Sequence, residues 1–330
     1  MYELLGISLA LSGLLTFNAV ASLLAALCWR LLQWRAQAWT AATRSQVLFA
    51  LRVFPGLAAV LCVAVLLIPA YLAHEPRHAT EHVSLQLGLL AGFSALGLSL
   101  AVWRGVAAWL ATRKLIRGWL RNSEPLALPQ VSVPAYRLRH SFPVIAVVGT
   151  FRPRLFIADH LFSALSADEL TAAVAHECGH LAARDNLKRA LLRACRDALT
   201  IVPCGRLLDR EWAAASEAAA DEYAARKGGE TALDLAAALV KIARLAPAGT
   251  RPAMPAGALL IGEDVGGVAH RVKLLARMAT APQGQLSLTV PASLWISFGA
   301  LVTATLLIAT NAQSLTLIHR LIEAAVSTLQ

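Results

Sequence analysis

Residues 4 to 28, LLGISLALSGLLTFNAVASLLAALC, contain no charged side chain and are long enough, at 1.5 Å per residue, to cross a hydrocarbon core of about 30 Å. A segment of this kind has few options. In lipid every backbone N–H and C=O must find its partner within the protein, so the run is a helix. Residues 53 to 73 and 83 to 103 read the same way, and residues 286 to 309 supply a fourth span. The composition agrees: 57% hydrophobic, 15% charged and a mean hydropathy of +0.59 are too apolar for an ordinary soluble domain. No basic stretch precedes the first run and no small-residue cleavage site comes after it, so it is read as a retained helix. Gly88 and Gly92 form a GxxxG pattern in the third span, which allows close helix packing.

Charge sets the expected orientation. The formal charge of +10 is spread beside the apolar runs instead of forming one basic domain, which points to topology signals and lipid headgroups and away from nucleic acid. The loop 29 to 52 carries Arg30, Arg35, Arg44 and Arg52, whereas 74 to 82 carries Arg77 against Glu75 and Glu81. The first loop is therefore placed in the cytoplasm. Arg104, Arg113, Lys114, Arg117 and Arg121, after the third span, place the long polar insert there too. The expected division is three spans in 1–112, a cytoplasmic domain in 113–284, a fourth span in 285–310 and a short outward amphipathic tail in 311–330, with both termini outward. Trp29, Trp34, Trp39, Trp103, Trp109 and Trp119 flank the inner ends as an interfacial belt. Five cysteines, two of them (Cys28, Cys62) within apolar runs, argue for reduced thiols.

Within the insert, 131–138, 143–149 and 154–158 are apolar or β-branched stretches divided by Pro and Gly, and they predict a small sheet. Ser166 with Glu169 three residues on forms a capping box for a helix that runs to about Arg184. Further helices are predicted over 187–201, 210–226 and 231–245, and 246–267 reads as a Pro- and Gly-rich loop.

The first of these helices carries His176-Glu177-Cys178-Gly179-His180. Positions i and i+4 differ by roughly 40° around a helix and about 6 Å along it, so His176 and His180 can direct imidazole nitrogens at one ion. Glu177 can accept the proton of a metal-bound water, and zinc lowers the pKa of that water and polarises a carbonyl. Two helix histidines beside a solvated glutamate is the competing reading. His74-Glu75-Pro76-Arg77-His78 fits the same pattern, yet Pro76 interrupts it and a short outward loop offers little chain for a cleft; with His82 it makes at most a weak metal site. A catalytic zinc takes three protein ligands and leaves one position open, so a third ligand separates the two matches. Glu217 is the candidate, and Asp221 one turn later can accept from the far nitrogen of a ligand histidine. An exposed acidic stripe is the alternative there. Asp185 either orients a histidine or pairs with an arginine. Cys178 lies about 200° around the helix from His176 and is read as a packing residue, and Gly179 as a mark of close backbone approach.

HECGHLAARDN (176 to 186), the Glu217-to-Asp221 segment and the preceding SADELTAAVA resemble the core of CAAX prenyl proteases, HtpX-type membrane peptidases and, most closely, the antirepressor-type (BlaR/MecR-like) metallopeptidases of β-lactam sensing. The resemblance implies a mainly α integral membrane protein of four transmembrane helices with a cytoplasmic α+β zincin-like (gluzincin) domain. It implies one Zn2+ per chain, held by His176, His180 and Glu217, with Glu177 as general base and Asp221 and Asp185 behind the ligands. The implied activity is that of a zinc endopeptidase at the inner (cytoplasmic) membrane, acting on a protein or peptide in regulatory signalling. The partners are that substrate and the bilayer, and a homo-oligomer is compatible. Only about twenty residues come after the expected fourth span, too few for an outward sensor domain. The resemblance also suggests that the 143–149 or 154–158 strand receives substrate by β-augmentation, and that His270 and Arg271 contact an oxyanion or substrate; a surface helix with a headgroup-facing arginine competes with the latter. A non-catalytic membrane scaffold with a structural zinc site is the rival function, and an outward metal sensor built on His74, His78 and His82 a third.

Overall fold

The computed structural model describes residues 2–75, 83–197, 204–246 and 265–280, with 299–300 and positions 303, 304, 307, 308, 311, 313, 314, 316, 317, 319, 320, 323 and 324. Helix α1 (Tyr2–Leu32) is followed by a 3-10 turn, Arg35–Ala38, and by α2 (Ala41–Cys62). A π turn, Val63–Leu67, joins α2 to α3 (Ile68–His74), so that one helical rod runs from Ala41 to His74. The wider turn falls just before Pro69, which has no N–H to donate to the preceding turn. With α4 (Leu85–Arg121), three helices are long and apolar enough to cross a membrane: α1, the Ala41–His74 rod and α4. They contain the three expected spans. The expected fourth span and tail fall mostly outside the described residues, as do His78 and His82.

Two boundaries differ from expectation. Helix α2 starts at Ala41, capped by Thr40, whose hydroxyl accepts from the Thr43 N–H at 3.1 Å. Helix α4 continues unbroken to Arg121, so the expected domain boundary at 112 lies inside a helix. Lys and Arg are good helix formers, and the charges mark where α4 leaves an apolar zone, not where it ends. Gly92 of the GxxxG pattern faces open space and Gly88 meets only Val83 among the described residues, so this pattern packs no helix against another here.

The chain then makes β1 (Ser123–Leu126), β2 (Ala135–Leu138), β3 (Ile145–Val148) and β4 (Arg154–Ala158), in the spatial order β1-β2-β4-β3. Strand β4 is parallel to β2 and antiparallel to β3. It is therefore internal, which removes the 154–158 strand as a place for an added strand and leaves β3 at the edge. Next come α5 (Leu161–Ala164), α6 (Ala167–Ala183), α7 (Asp185–Asp197), α8 (Cys204–Ala225), α9 (Gly229–Leu245) and α10 (Val265–Thr280). The capping box is formed: the Glu169 N–H donates to Ser166 Oγ at 3.1 Å, and the Ser166 N–H to Glu169 Oε2 at 2.8 Å.

Two cores position the site. The larger joins β2, β3 and β4 to α6, α9 and α10 through residues such as Phe156, Val174, Leu235, Leu239 and Leu275. Burying one such leucine stabilises the domain by about 1.5–3 kcal/mol. The second gathers Trp29 of α1 and Leu48 of α2 with Leu192 of α7 and Leu208, Trp212 and Ala215 of α8. Arg52 reinforces this junction by pairing with Asp209 at 2.9 Å, and the Ala41 N–H donates to Glu222 Oε1 at 2.9 Å. Helix α8 thus anchors the domain to the long apolar helices α1 and α2 with one face and turns another toward α6.

Candidate metal centre

Helix α6 places His176 and His180 one above the other, with ring centroids 4.8 Å apart and planes at 88°. Both are buried. A Cβ built on Gly179 would lie 3.0 Å from Ala220 Cα and 3.1 Å from Tyr223 Cβ, so only glycine lets α8 approach α6 this closely. That approach carries Glu217, one turn before Ala220, to the two histidines.

The spacing fits a metal. Glu217 Oε2 lies 3.5 Å from His176 Nε2, and Glu217 Oε1 lies 3.5 Å from His180 Nε2. Four ligands placed tetrahedrally about 2.0–2.1 Å from a zinc ion stand about 3.3–3.4 Å from one another. Ligand atoms of His176, His180 and Glu217 all fall within 4.8 Å of each other, and among the described residues no fourth His, Cys, Asp or Glu joins this group. His176 Nε2 and Glu217 Oε2 are buried without a hydrogen-bond partner. Buried polar atoms left so are costly unless something else, here an ion, takes them up.

Each histidine is held from behind by a carboxylate. His180 Nδ1 bonds Asp185 Oδ2 at 2.7 Å, and His176 Nδ1 lies 2.9 Å from Asp221 Oδ1. With its proton on Nδ1, each neutral ring would direct its Nε2 lone pair at a bound ion. The first contact depends on a local device. Arg184 ends α6 in the left-handed conformation, φ 54°, and the chain reverses there, so that the Asp185 side chain turns back onto His180. Ser216 Oγ donates to Asp185 Oδ2 at 2.6 Å and fixes it further. Arg271 donates twice to Asp221, at 2.9 and 2.7 Å, with its Nη1 3.4 Å from Glu217 Oε2, while Arg189 donates to Glu217 Oε1 at 3.1 Å.

The fields in this pocket are strong. Burial would lower the His180 pKa, but the Glu217 and Asp185 carboxylates override it and raise the pKa to about 10. Burial would raise Glu217, yet the charge of His180, the neighbouring His176 ring and Arg271 hold it well below the usual carboxylate range. Asp185 and Asp221 are likewise lowered against burial, chiefly by their histidines. Glu177 goes the other way: burial pushes its carboxyl up, which favours proton uptake nearer neutral pH.

Glu177 Oε2 accepts from the Val147 N–H of β3 at 2.9 Å, and Asn186 Nδ2 donates to Val147 O at 2.9 Å and to Gly149 O at 3.1 Å. The edge strand is thereby tied to the helices that carry the cluster. His270 is exposed on α10 and stands apart, whereas Arg271 is 5% exposed and clamps Asp221, so it does not face headgroups. Cys178 is half-buried against the larger core. Arg189 and Ser216 join the site without standing out in the sequence. Ser216 precedes Glu217 directly, and Arg189 lies one helical turn after Asp185, but neither carries a signal without the packing of α7 on α8.

Two histidines and a glutamate set for one metal, on a chain with three membrane-length helices, are the marks of a membrane-associated metallopeptidase. Residues 146–295, which hold all these side chains, match Peptidase family M48. The likeness to membrane-embedded HExxH metallopeptidases holds at the level of that family. No curated protein matches the chain.

Proposed function

We propose that this chain is an integral-membrane zinc endopeptidase that hydrolyses a peptide bond in a protein or membrane-linked substrate at the cytoplasmic face, in the manner of antirepressor-type peptidases of regulatory signalling. The observation that carries this reading is the cluster itself: three ligand atoms within 4.8 Å, each histidine backed by a carboxylate. His176, His180 and Glu217 would hold one zinc. When bound there, the ion supplies Lewis acidity to water and to the scissile carbonyl. Glu177, raised by burial, takes the proton of the attacking water and passes it to the leaving amine. Asp185 and Asp221 keep the histidine rings in place, and Arg271 and Arg189 keep Asp221 and Glu217 charged. Strand β3 is the sheet edge nearest Glu177, and a substrate strand laid along it would displace the Glu177 and Asn186 contacts that hold the Val147 N–H and C=O.

The absence of a fourth ligand among the described residues favours an open, catalytic position over a closed structural one. The Arg52–Asp209 and Glu222–Ala41 contacts attach the domain at the end of the membrane helices where Arg30, Arg35, Arg44 and Arg52 cluster, which supports a cytoplasmic domain and outward termini. A comparison of protein termini in cells carrying the wild type and Glu177→Ala tests the reading. New termini that vanish in the variant are expected; identical patterns would remove the peptidase assignment.

A further inference from the structure

A cavity of about 1250 Å³ opens where α4, α7, the N-terminal part of α8 and the turn after β3 meet, with Ser22 of α1 and Arg52 of α2 also in its wall. Nine arginines line it and, among its described lining residues, no aspartate or glutamate does. Arg52 and Arg189 are engaged by Asp209 and Glu217. Arg113, Arg117, Arg152, Arg154 and Arg206, by contrast, face no carboxylate among the described residues. Between them lie apolar side chains, including Trp109, Ile116 and Leu187, with the Arg113 guanidinium 4.5 Å above the Trp109 ring.

We infer that this cavity is a substrate trough that takes an acidic stretch of polypeptide next to the scissile bond. The inference rests on the peptidase reading and names its substrate class. Length favours a polypeptide. The lining residues of α4 run from Arg104 to Leu120, about 24 Å of helix. That is the span of about seven residues of extended chain, and the arginines are distributed along it. A single lipid headgroup would engage one end only. Position favours a substrate. The lining of the trough includes Gly149, Asn186 and Arg189. Asn186 holds the β3 edge whose Val147 N–H binds Glu177, and Arg189 binds the proposed ligand Glu217. A chain lying in the trough is therefore led to the catalytic carboxylate. Uncompensated arginines with low-dielectric walls between them attract acidic segments and repel basic ones.

The test uses the full chain in phosphatidylcholine nanodiscs and two fluorescein-labelled ten-residue peptides, one with four glutamates and one with glutamines in their place. Binding is read by anisotropy with Glu177→Gln to prevent turnover, and cleavage with the wild type. The glutamate peptide is expected to bind at least tenfold more tightly, and to lose that advantage in 0.5 M salt. The pair Arg113→Glu and Arg117→Glu, or separately Arg152→Glu on the exposed turn, should abolish the preference while the glutamine peptide binds as before. Equal affinity for the two peptides would overturn the inference. So would phosphatidylglycerol filling the trough while both peptides bind alike, which would assign it to a headgroup. Selective binding without any cleavage by the zinc-loaded wild type would count against the peptidase reading and not against the trough.

Discussion

The chain contains the pattern His-Glu-x-x-His twice, at 74–78 and at 176–180, and the two copies have opposite fates. In the second, the pattern sits in the middle of α6, capped by Ser166 and Glu169, and both histidines stay on one face. In the first, α3 ends at His74 and Glu75 is already extended, at φ −75° and ψ 124°, as a residue before proline must be. The i, i+4 geometry does not begin there. The ring of His74 is also engaged on both sides, with Nδ1 3.2 Å from Ala70 O and Nε2 3.2 Å from Thr316 Oγ1. At His176 and His180 the Nδ1 atoms meet carboxylates and the Nε2 atoms converge on Glu217. Five residues specify a metal site only when a helix spans them and a second helix brings the third ligand.

The largest test of this contrast is chemical. Glu177→Gln should retain zinc and lose turnover by about 10²–10⁴-fold, measured as kcat on a cleaved peptide, while Glu75→Gln should change neither. His176→Ala or His180→Ala should abolish stoichiometric zinc, read by elemental analysis, and His74→Ala should leave it intact. Removing a carboxylate behind a ligand is a smaller perturbation: Asp185→Asn or Asp221→Asn should weaken zinc about 10–100-fold in a chelator competition.

Gly179→Val should push α8 from α6, destabilising the metal-free domain by about 1–3 kcal/mol and lowering zinc affinity, whereas Gly92→Ala, which meets open space inside α4, should lower neither the Tm nor the zinc content. The smallest effect concerns pH. The folded-state pKa of His180 is raised from 6.5 to about 10, so its contribution to stability is complete below 6.5 and is lost as the pH rises through about 10. The Tm of metal-free protein should accordingly fall across that window, and zinc, which displaces the proton, should flatten the profile.

Much of this was legible in the sequence because its signals are local. Apolar length gave the three helices, Ser166 and Glu169 gave the start of α6, and the i, i+4 spacing gave the histidine pair. What stayed hidden depends on contacts between distant segments. Strand β1, Ser123–Leu126, contains Glu124 and Pro125 and lacks apolar alternation, because it is an edge strand that only its pairing with β2 defines. In the sequence Arg271 reads as an oxyanion or substrate contact or as a headgroup ligand, until α10 is packed beside α8 and the guanidinium closes on Asp221. The extent of α4 was obscured for a different reason: hydropathy falls at its charges, but helix propensity does not.

The central claim is that one zinc is held by His176, His180 and Glu217 with a position left open. X-ray absorption at the zinc edge of the full-length protein tests it most directly. Two imidazole nitrogens and oxygen ligands at about 2.0–2.2 Å are expected, with no sulfur and with one oxygen exchangeable by an added hydroxamate. A shell closed by four protein ligands, a sulfur scatterer from Cys178, or a spectrum unaltered in Glu217→Ala would contradict it.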